Sequence, residues 1–240
     1  VAWTPELSSP IVPSAESPAP STMTLPPRGV MIVGDVNDPN HAAAAGHLAA
    51  RLGWPLLWEP SSNAHGALTA LSHGPLIAAH MPIPDAVVTV GTVGLSRSVV
   101  GLLRDTPHHI AVHLPSNGPM QPDPARTARE ILDAIPQAEC VVDPQWLASW
   151  QRADWAAATV IEAQLPPMHL TGPSVAIDVW RHAPADSLLM VGASWPVRHL
   201  EAALWLASQP IHELSCRGTS PLRMKSWQRW TEFCPSFACT

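Results

Sequence analysis

The sequence predicts an α/β fold built around a parallel sheet, and three observations carry that prediction. Short apolar runs ending in glycine, "RGVMIVGD" (28–35) and "DAVVTVG" (85–91), have the composition of strands buried on both faces. Each is followed by a stretch with helical periodicity and helix-capping residues. Strand and helix then alternate at the spacing of βαβ units, which sets successive strands parallel. With 240 residues, 46% of them hydrophobic, the chain can bury a core in one large domain or two small ones.

The elements follow in order. Residues 1–27, rich in proline and serine and without periodicity, read as an extended linker arm. The strand at 28–35 leads into a helix with Asp38 as N-cap, Pro39 at its first position and Gly53 just past its end. Residues 54–59 read as a second strand, and "PSSNAHG" (60–66) as a loop of turn formers. A helix is expected over 67–80, broken or kinked at Gly74-Pro75. The strand at 85–91 is followed by a helix at 95–105 and a strand at 108–114. A proline-rich loop then precedes a short helix predicted at 124–135 and a last strand at 138–143. Together these make an α/β domain over 28–143.

A longer helix begins at Asp143, with Pro144 at its first position and Trp146, Trp150, Ala153 and Ala157 on one face. That stripe reads as packing. With the connector after it, this helix links (144–170) to a second unit made of a helix at 173–183, a strand at 187–191 and a helix at 195–207. A single strand cannot bury a sheet of its own. Residues 171–208 therefore read as the start of a domain cut short, and 209–240 as an irregular, divergent tail. The opening "VAWTPELSSP", without Met, suggests a piece of a longer chain.

Composition excludes several classes. The formal charge of −6, with no basic stripe, argues against a nucleic-acid partner. No run of eighteen apolar residues occurs, so no membrane span is expected. No basic region followed by an apolar core marks a secretory signal. Cys140, Cys216, Cys234 and Cys239 form no C-x-x-C pair and read as free thiols of a reducing cytoplasm.

Most local motifs point to structure. The first strand-to-helix turn, "VGDVNDPNH", has a lone Gly34 where a dinucleotide fingerprint needs three glycines, and Asp35 would repel a phosphate. In "EPSSNAHG" (59–66), Ser61, Ser62 and Asn63 could bind a ligand or cap the next helix. His108, His109 and His113 lie close together without an acidic partner pattern, so no metal site is expected there. More specific is a unit that occurs twice: Val-Gly, five residues, then arginine at the start of a helix. Gly91 leads to Arg97 and Gly192 to Arg198, with Ser96 and Ser194 nearby. A guanidinium converging with helix N-terminal amides suits a carboxylate or phosphate. A solvated arginine at a helix end is the other reading, and the residues alone leave both open.

"GVMIVGD", "LGWPLLWEPSSN", "LSHGPLIAAHMPIPDAVVTVGTVGLSRSV", "LASWQRAD" and "VGASWPVRHLEAAL" together resemble the MenD family. These are the thiamine-diphosphate-dependent 2-succinyl-5-enolpyruvyl-6-hydroxy-3-cyclohexene-1-carboxylate synthases of menaquinone biosynthesis. The likeness runs from about residue 28 to 208. It implies a parallel-sheet, transhydrogenase-like middle domain, a three-layer αβα sandwich, followed by an incomplete thiamine-diphosphate-binding-fold segment. It also implies a cytoplasmic transferase that works as a homodimer or homotetramer with thiamine diphosphate and Mg2+ or Mn2+. Such an enzyme decarboxylates 2-oxoglutarate and adds the succinyl-semialdehyde unit to isochorismate.

By position, "LSR" matches the family's basic pair, giving Arg97 and Ser96 substrate-binding roles, with serine where some members carry lysine. "SWPVR" gives Ser194 and Arg198 the same role, and "CRGTS" makes Arg217 a further candidate. The chain also departs from the pattern. After Ser220 the text matches nothing in the family, the magnesium and diphosphate motif is missing, and so is the first domain with its thiamine-activating glutamate. A frameshift or truncated gene would account for this, and the chain alone is expected to be inactive. The alternative is a non-catalytic carboxylate-binding or interaction module on an α/β fold.

Overall fold

A computed structural model describes residues 22–36, 38–115, 123–165, 170–184, 188–192, 194–203 and 212–216. The chain runs through β1 (Thr22–Thr24), β2 (Gly29–Val33), α1 (Pro39–Leu52), β3 (Leu56–Trp58) and α2 (Gly74–Ile77). It continues with β4 (Ala86–Val90), α3 (Arg97–Asp105), β5 (His108–Val112), β6 (Ala128–Leu132) and β7 (Gln137–Glu139). The last described elements are α4 (Pro144–Gln164), α5 (Gly172–His182), β8 (Leu188–Gly192), α6 (Trp195–Ala203) and β9 (His212–Cys216).

Five strands form one parallel sheet in the order β3-β2-β4-β5-β6. Every residue of β2 and β4 is buried, as near-continuous apolar strands require when helices cover both faces. The alternation of strand side chains divides the core in two. Met31, Val33, Val88 and Val90 pack with Ala45, Leu48 and Leu52 of α1. Val30, Ile32 and Val87 pack on the other face with Val99 and Leu103 of α3 and with Trp146 and Trp150 of α4. The result is a three-layer αβα arrangement. The tryptophan stripe of α4 is a packing surface, with Ala153 and Ala157 lying against the same cluster.

Both capped helices start where the sequence indicates. Asp38 accepts from the Asn40 amide at 2.9 Å, and Gly53 closes α1 in the left-handed conformation at φ 65°. Asp143 accepts from the amides of Gln145 and Trp146 at the start of α4.

Four expectations need correction. Residues 67–73 are not helical, because Thr69 and Leu71 bond to Leu56 on the open edge of β3. Helix α2 starts only at Gly74, where Asp154 of α4 accepts from the amides of Ser72 and His73. The predicted helix at 124–135 is instead β6, the far edge of the sheet. The vacant edge of β5 offers a ladder that outweighs local helix propensity, and exposed Arg129 and Glu130 keep the new edge charged. The strand at 138–143 is shorter (β7) and pairs with β1 in a separate two-stranded sheet, so 22–24 is not free arm.

The fourth correction concerns the second unit. Residues 212–216, read as irregular tail, form β9, which pairs parallel with β8. Even two strands cannot bury themselves, and this unit borrows a core. Trp180, Val191, Val197 and Leu200 belong to the same buried cluster as Met31 and Leu48. The rest of the tail lies outside the described residues.

Candidate functional site

In an open parallel sheet, ligands favour the crevice outside the strand ends where the strand order reverses. Here the order reverses between β2 and β4, and backbone closes that crevice. Asp35 and Thr92 exchange hydrogen bonds, N–H to carbonyl in both directions, at 2.8 and 2.9 Å. A Cβ at Gly34 would strike the Thr92 carbonyl, and one at Gly91 (φ 75°) the Asp35 carbonyl. The glycines therefore serve approach of the two loops to each other, not to a nucleotide.

The next feature is Glu59, at the carboxyl end of β3 and 1% exposed. Its Oε1 accepts from the amides of Gly94 and Leu95, at 2.7 Å each. The loop so held runs straight into Ser96 and Arg97. Ser96 is the N-cap of α3 but makes no capping bond with its side chain. Ser98 donates its hydroxyl proton to the Pro75 carbonyl, so the 2.8 Å contact between Ser96 Oγ and Ser98 Oγ has Ser96 as donor. Arg97 is the first residue of α3 and is exposed.

Arg198 reaches the same loop from α6, donating from Nη1 to the Leu95 carbonyl at 3.0 Å. The equal sequence offset hides a difference, since Arg97 opens its helix while Arg198 is the fourth residue of its own. Gly91 uses positive φ and Gly192 does not. Ser194 is exposed just before α6, its amide bonded to the Gly192 carbonyl at 2.9 Å. Thus Ser96, Arg97 and Arg198 gather around one loop, and Ser194 lies one turn of α6 away. Arg217 lies outside the described residues.

One helical turn from Arg198, Glu201 is 8% exposed and its Oε1 makes no hydrogen bond among the described residues. Burial pushes its carboxyl up to about 7, partly offset by the Arg198 charge. Ser62 accepts from the Ala64 amide, and Ser61 Oγ is buried without a hydrogen-bond partner among the described residues, so neither is seen to cap a helix there. Glu59 stands out only in the fold, whereas its neighbours Ser61, Ser62 and Asn63 already stand out in the sequence. An acidic residue ending an all-apolar strand is the signal that marks it, since a buried carboxylate needs donors.

The histidines act separately. His109 is buried between Thr89 and Thr127, at 3.0 Å from each, and desolvation lowers its pKa against the pull of Asp123. His108 lies 3.2 Å from Glu130 on the surface. Among the described residues no group of three His, Cys, Asp or Glu side chains could hold a metal ion, and no helix is long and apolar enough to cross a membrane.

No protein-family model matches the chain. Three similar proteins are each named 2-succinyl-5-enolpyruvyl-6-hydroxy-3-cyclohexene-1-carboxylate synthase. That of Thermobifida fusca is 38% identical over 196 residues, covering 78% of this chain and 34% of its own. That of Saccharopolyspora erythraea is 33% identical over 199 residues, covering 79% and 34%. That of Kineococcus radiotolerans is 34% identical over 214 residues, covering 81% and 36%. Among solved structures, one described as a thiamin diphosphate-dependent enzyme isolated from Mycobacterium smegmatis overlaps 78% of this chain and 38% of its own. Its identity is 14% and its TM-score 0.38. The chain spans about a third of the length of the curated relatives it matches. By sequence, then, this protein is a relative of the 2-succinyl-5-enolpyruvyl-6-hydroxy-3-cyclohexene-1-carboxylate synthases, similar to about a third of each.

Proposed function

We propose that this chain supplies the carboxylate-recognition part of a menaquinone-pathway synthase, a transferase that joins a decarboxylated 2-oxoglutarate unit to isochorismate. In this reading residues 28–143 are the middle domain, 144–170 the connector, and 171–208 the beginning of the cofactor-binding domain. Arg97, Ser96, Ser194, Arg198 and Arg217 are the substrate-binding residues. The observation that carries the reading is the convergence of Ser96, Arg97 and Arg198 on one loop, in a chain 38% identical to such a synthase. Both substrates carry carboxylates, and an arginine fork binds a carboxylate through two parallel hydrogen bonds.

Thiamine diphosphate and its Mg2+ or Mn2+ do not fit the described residues. Among the described residues no acidic or histidine cluster is placed to hold the metal, and the switch-point crevice is filled by backbone. Those groups belong to other parts of a whole synthase, as does its homodimeric or homotetrameric assembly. The chain alone is then inactive in carboligation but retains anion recognition.

Calorimetric titration with 2-oxoglutarate tests the reading. Arg97→Met and Arg198→Met should each weaken binding by about tenfold, the value of one charge-assisted contact. Absence of binding, or binding indifferent to both substitutions, overturns it. Product formed from 2-oxoglutarate and isochorismate by the isolated chain would overturn the claim of inactivity.

A further inference from the structure

The peptide at Leu95 is gripped from both sides. Its N–H, together with that of Gly94, donates to Glu59. Its carbonyl accepts from Arg198. Glu59 is itself anchored, its own amide donating to the Val33 carbonyl at 2.9 Å within the sheet. A carboxyl group so deeply buried is costly unless donors meet it, and the two amides that meet this one do so at a short 2.7 Å. Gly94 lets both amides turn the same way, with φ 139°, a conformation that L side chains rarely adopt. Two residues after Leu95 comes Arg97.

We propose that Glu59 is the positioning residue of this site: acting through the Leu95 peptide, it fixes Arg97 and Arg198 relative to one another. The inference rests on reading those two arginines as carboxylate ligands. They stand on different helices, α3 and α6, in segments far apart in the chain, and the Leu95 peptide is the element they share. The guanidinium of Arg198 has five donors, of which the carbonyl takes one, and no other hydrogen bond engages them among the described residues. Because the carbonyl already restrains the side chain, less rotamer freedom is lost when a ligand binds. Removing the Glu59 carboxylate frees the peptide and with it the reference point of both arginines.

The test compares Glu59→Leu, which cannot accept a hydrogen bond, with Glu59→Gln, whose side-chain carbonyl still can. Two readouts are taken on the whole chain: amide hydrogen exchange at Gly94 and Leu95, and calorimetric affinity for 2-oxoglutarate. Glu59→Leu should raise exchange at both amides by about tenfold or more while exchange within β2 and β4 stays as it was. Affinity should fall by a similar factor, and Glu59→Gln should restore most of both. Unchanged exchange in Glu59→Leu overturns the proposal, as does raised exchange with undiminished affinity, or a Gln variant no better than Leu. Should Glu59→Leu fail to fold, Glu59→Asp withdraws the carboxylate by one methylene and is expected to raise exchange and weaken binding to an intermediate degree; no change in either overturns the proposal. If the unaltered chain binds no 2-oxoglutarate, the carboxylate reading fails, and the exchange readout alone decides whether Glu59 holds the Leu95 peptide.

Discussion

Arg198 donates a hydrogen bond to the carbonyl of Leu95, 103 residues earlier in the chain, at 3.0 Å. This contact ties α6 to the loop that opens α3, beside the shared core of Trp180, Val191 and Leu200. An Arg198→Met variant should lose about 1 kcal/mol of stability, the net value of one such bond at a partly exposed site. Arg198→Lys should recover only part of this, since an ammonium lacks the planar fork. Urea denaturation followed by tryptophan fluorescence measures both. A lysine variant as stable as the original protein would show that charge alone suffices.

Glu201 gives the α6 region an unusual pH response. Its carboxyl is raised from an ordinary 4.5 to about 7 in the folded chain, so between those values the folded state holds the extra proton. Stability therefore falls as pH rises from about 4.5 to about 7 and levels off above, by roughly 3 kcal/mol at most. Glu201→Gln should flatten this slope and raise stability at pH 8. Denaturation midpoints across pH 4.5–8 provide the check, and parallel curves for the two proteins would contradict it.

His109 has a determined tautomer. Thr127 donates its hydroxyl proton to the Leu103 carbonyl at 3.1 Å, so it must accept from His109 Nδ1–H. Desolvation lowers the pKa of the ring and so favours its neutral form, in which Nε2 accepts from the Thr89 hydroxyl. Nitrogen NMR should show Nδ1 protonated and Nε2 bare at neutral pH. With its folded pKa held below the ordinary 6.5, His109 makes the fold lose stability as pH drops below about 6.5. Thr127→Val strands both the imidazole N–H and the carbonyl, and should cost about 1–3 kcal/mol in denaturation.

The closed switch point rests on two glycines. Gly34→Ala puts a methyl into the Thr92 carbonyl, and Gly91→Ala adds a positive-φ penalty to a clash with the Asp35 carbonyl. Backbone cannot move aside as a flexible side chain can. Each variant should lose more than about 1–2 kcal/mol, with Gly91→Ala the worse. Gly101→Ala, where nothing lies within 4 Å of the added carbon, is the control and should be neutral or slightly stabilising. Thermal melts of the three would rank them, and an unharmed Gly91→Ala would show that the two loops can part.

Local chemistry made much of the fold legible. Asp38 and Asp143 cap their helices in the sequence because the capping bond spans only two or three residues. The runs of β2 and β4 show their environment directly, since a near-continuous apolar strand, broken in β4 only by Thr89, is the mark of a strand covered on both faces. Residues 124–135 carry a real helical periodicity in Ala128, Ile131, Leu132 and Ile135. What outweighs it is the edge of β5, which no local pattern records. The same holds for residues 69–71, whose partner Leu56 is distant in the chain.

For the candidate site, the sequence by itself determined which residues to look for: two arginines at one spacing after Val-Gly, each with a serine nearby. It could not determine that Arg97 opens a helix while Arg198 sits fourth in another, nor that Arg198 bonds to the loop preceding Arg97. Only the tertiary structure decided that Glu59 lies beneath that loop and that Asp35 and Thr92 close the neighbouring crevice. The physical reason is that these bonds involve backbone groups. Every residue carries the same amide and carbonyl, so no side-chain pattern announces which distant partner will claim them.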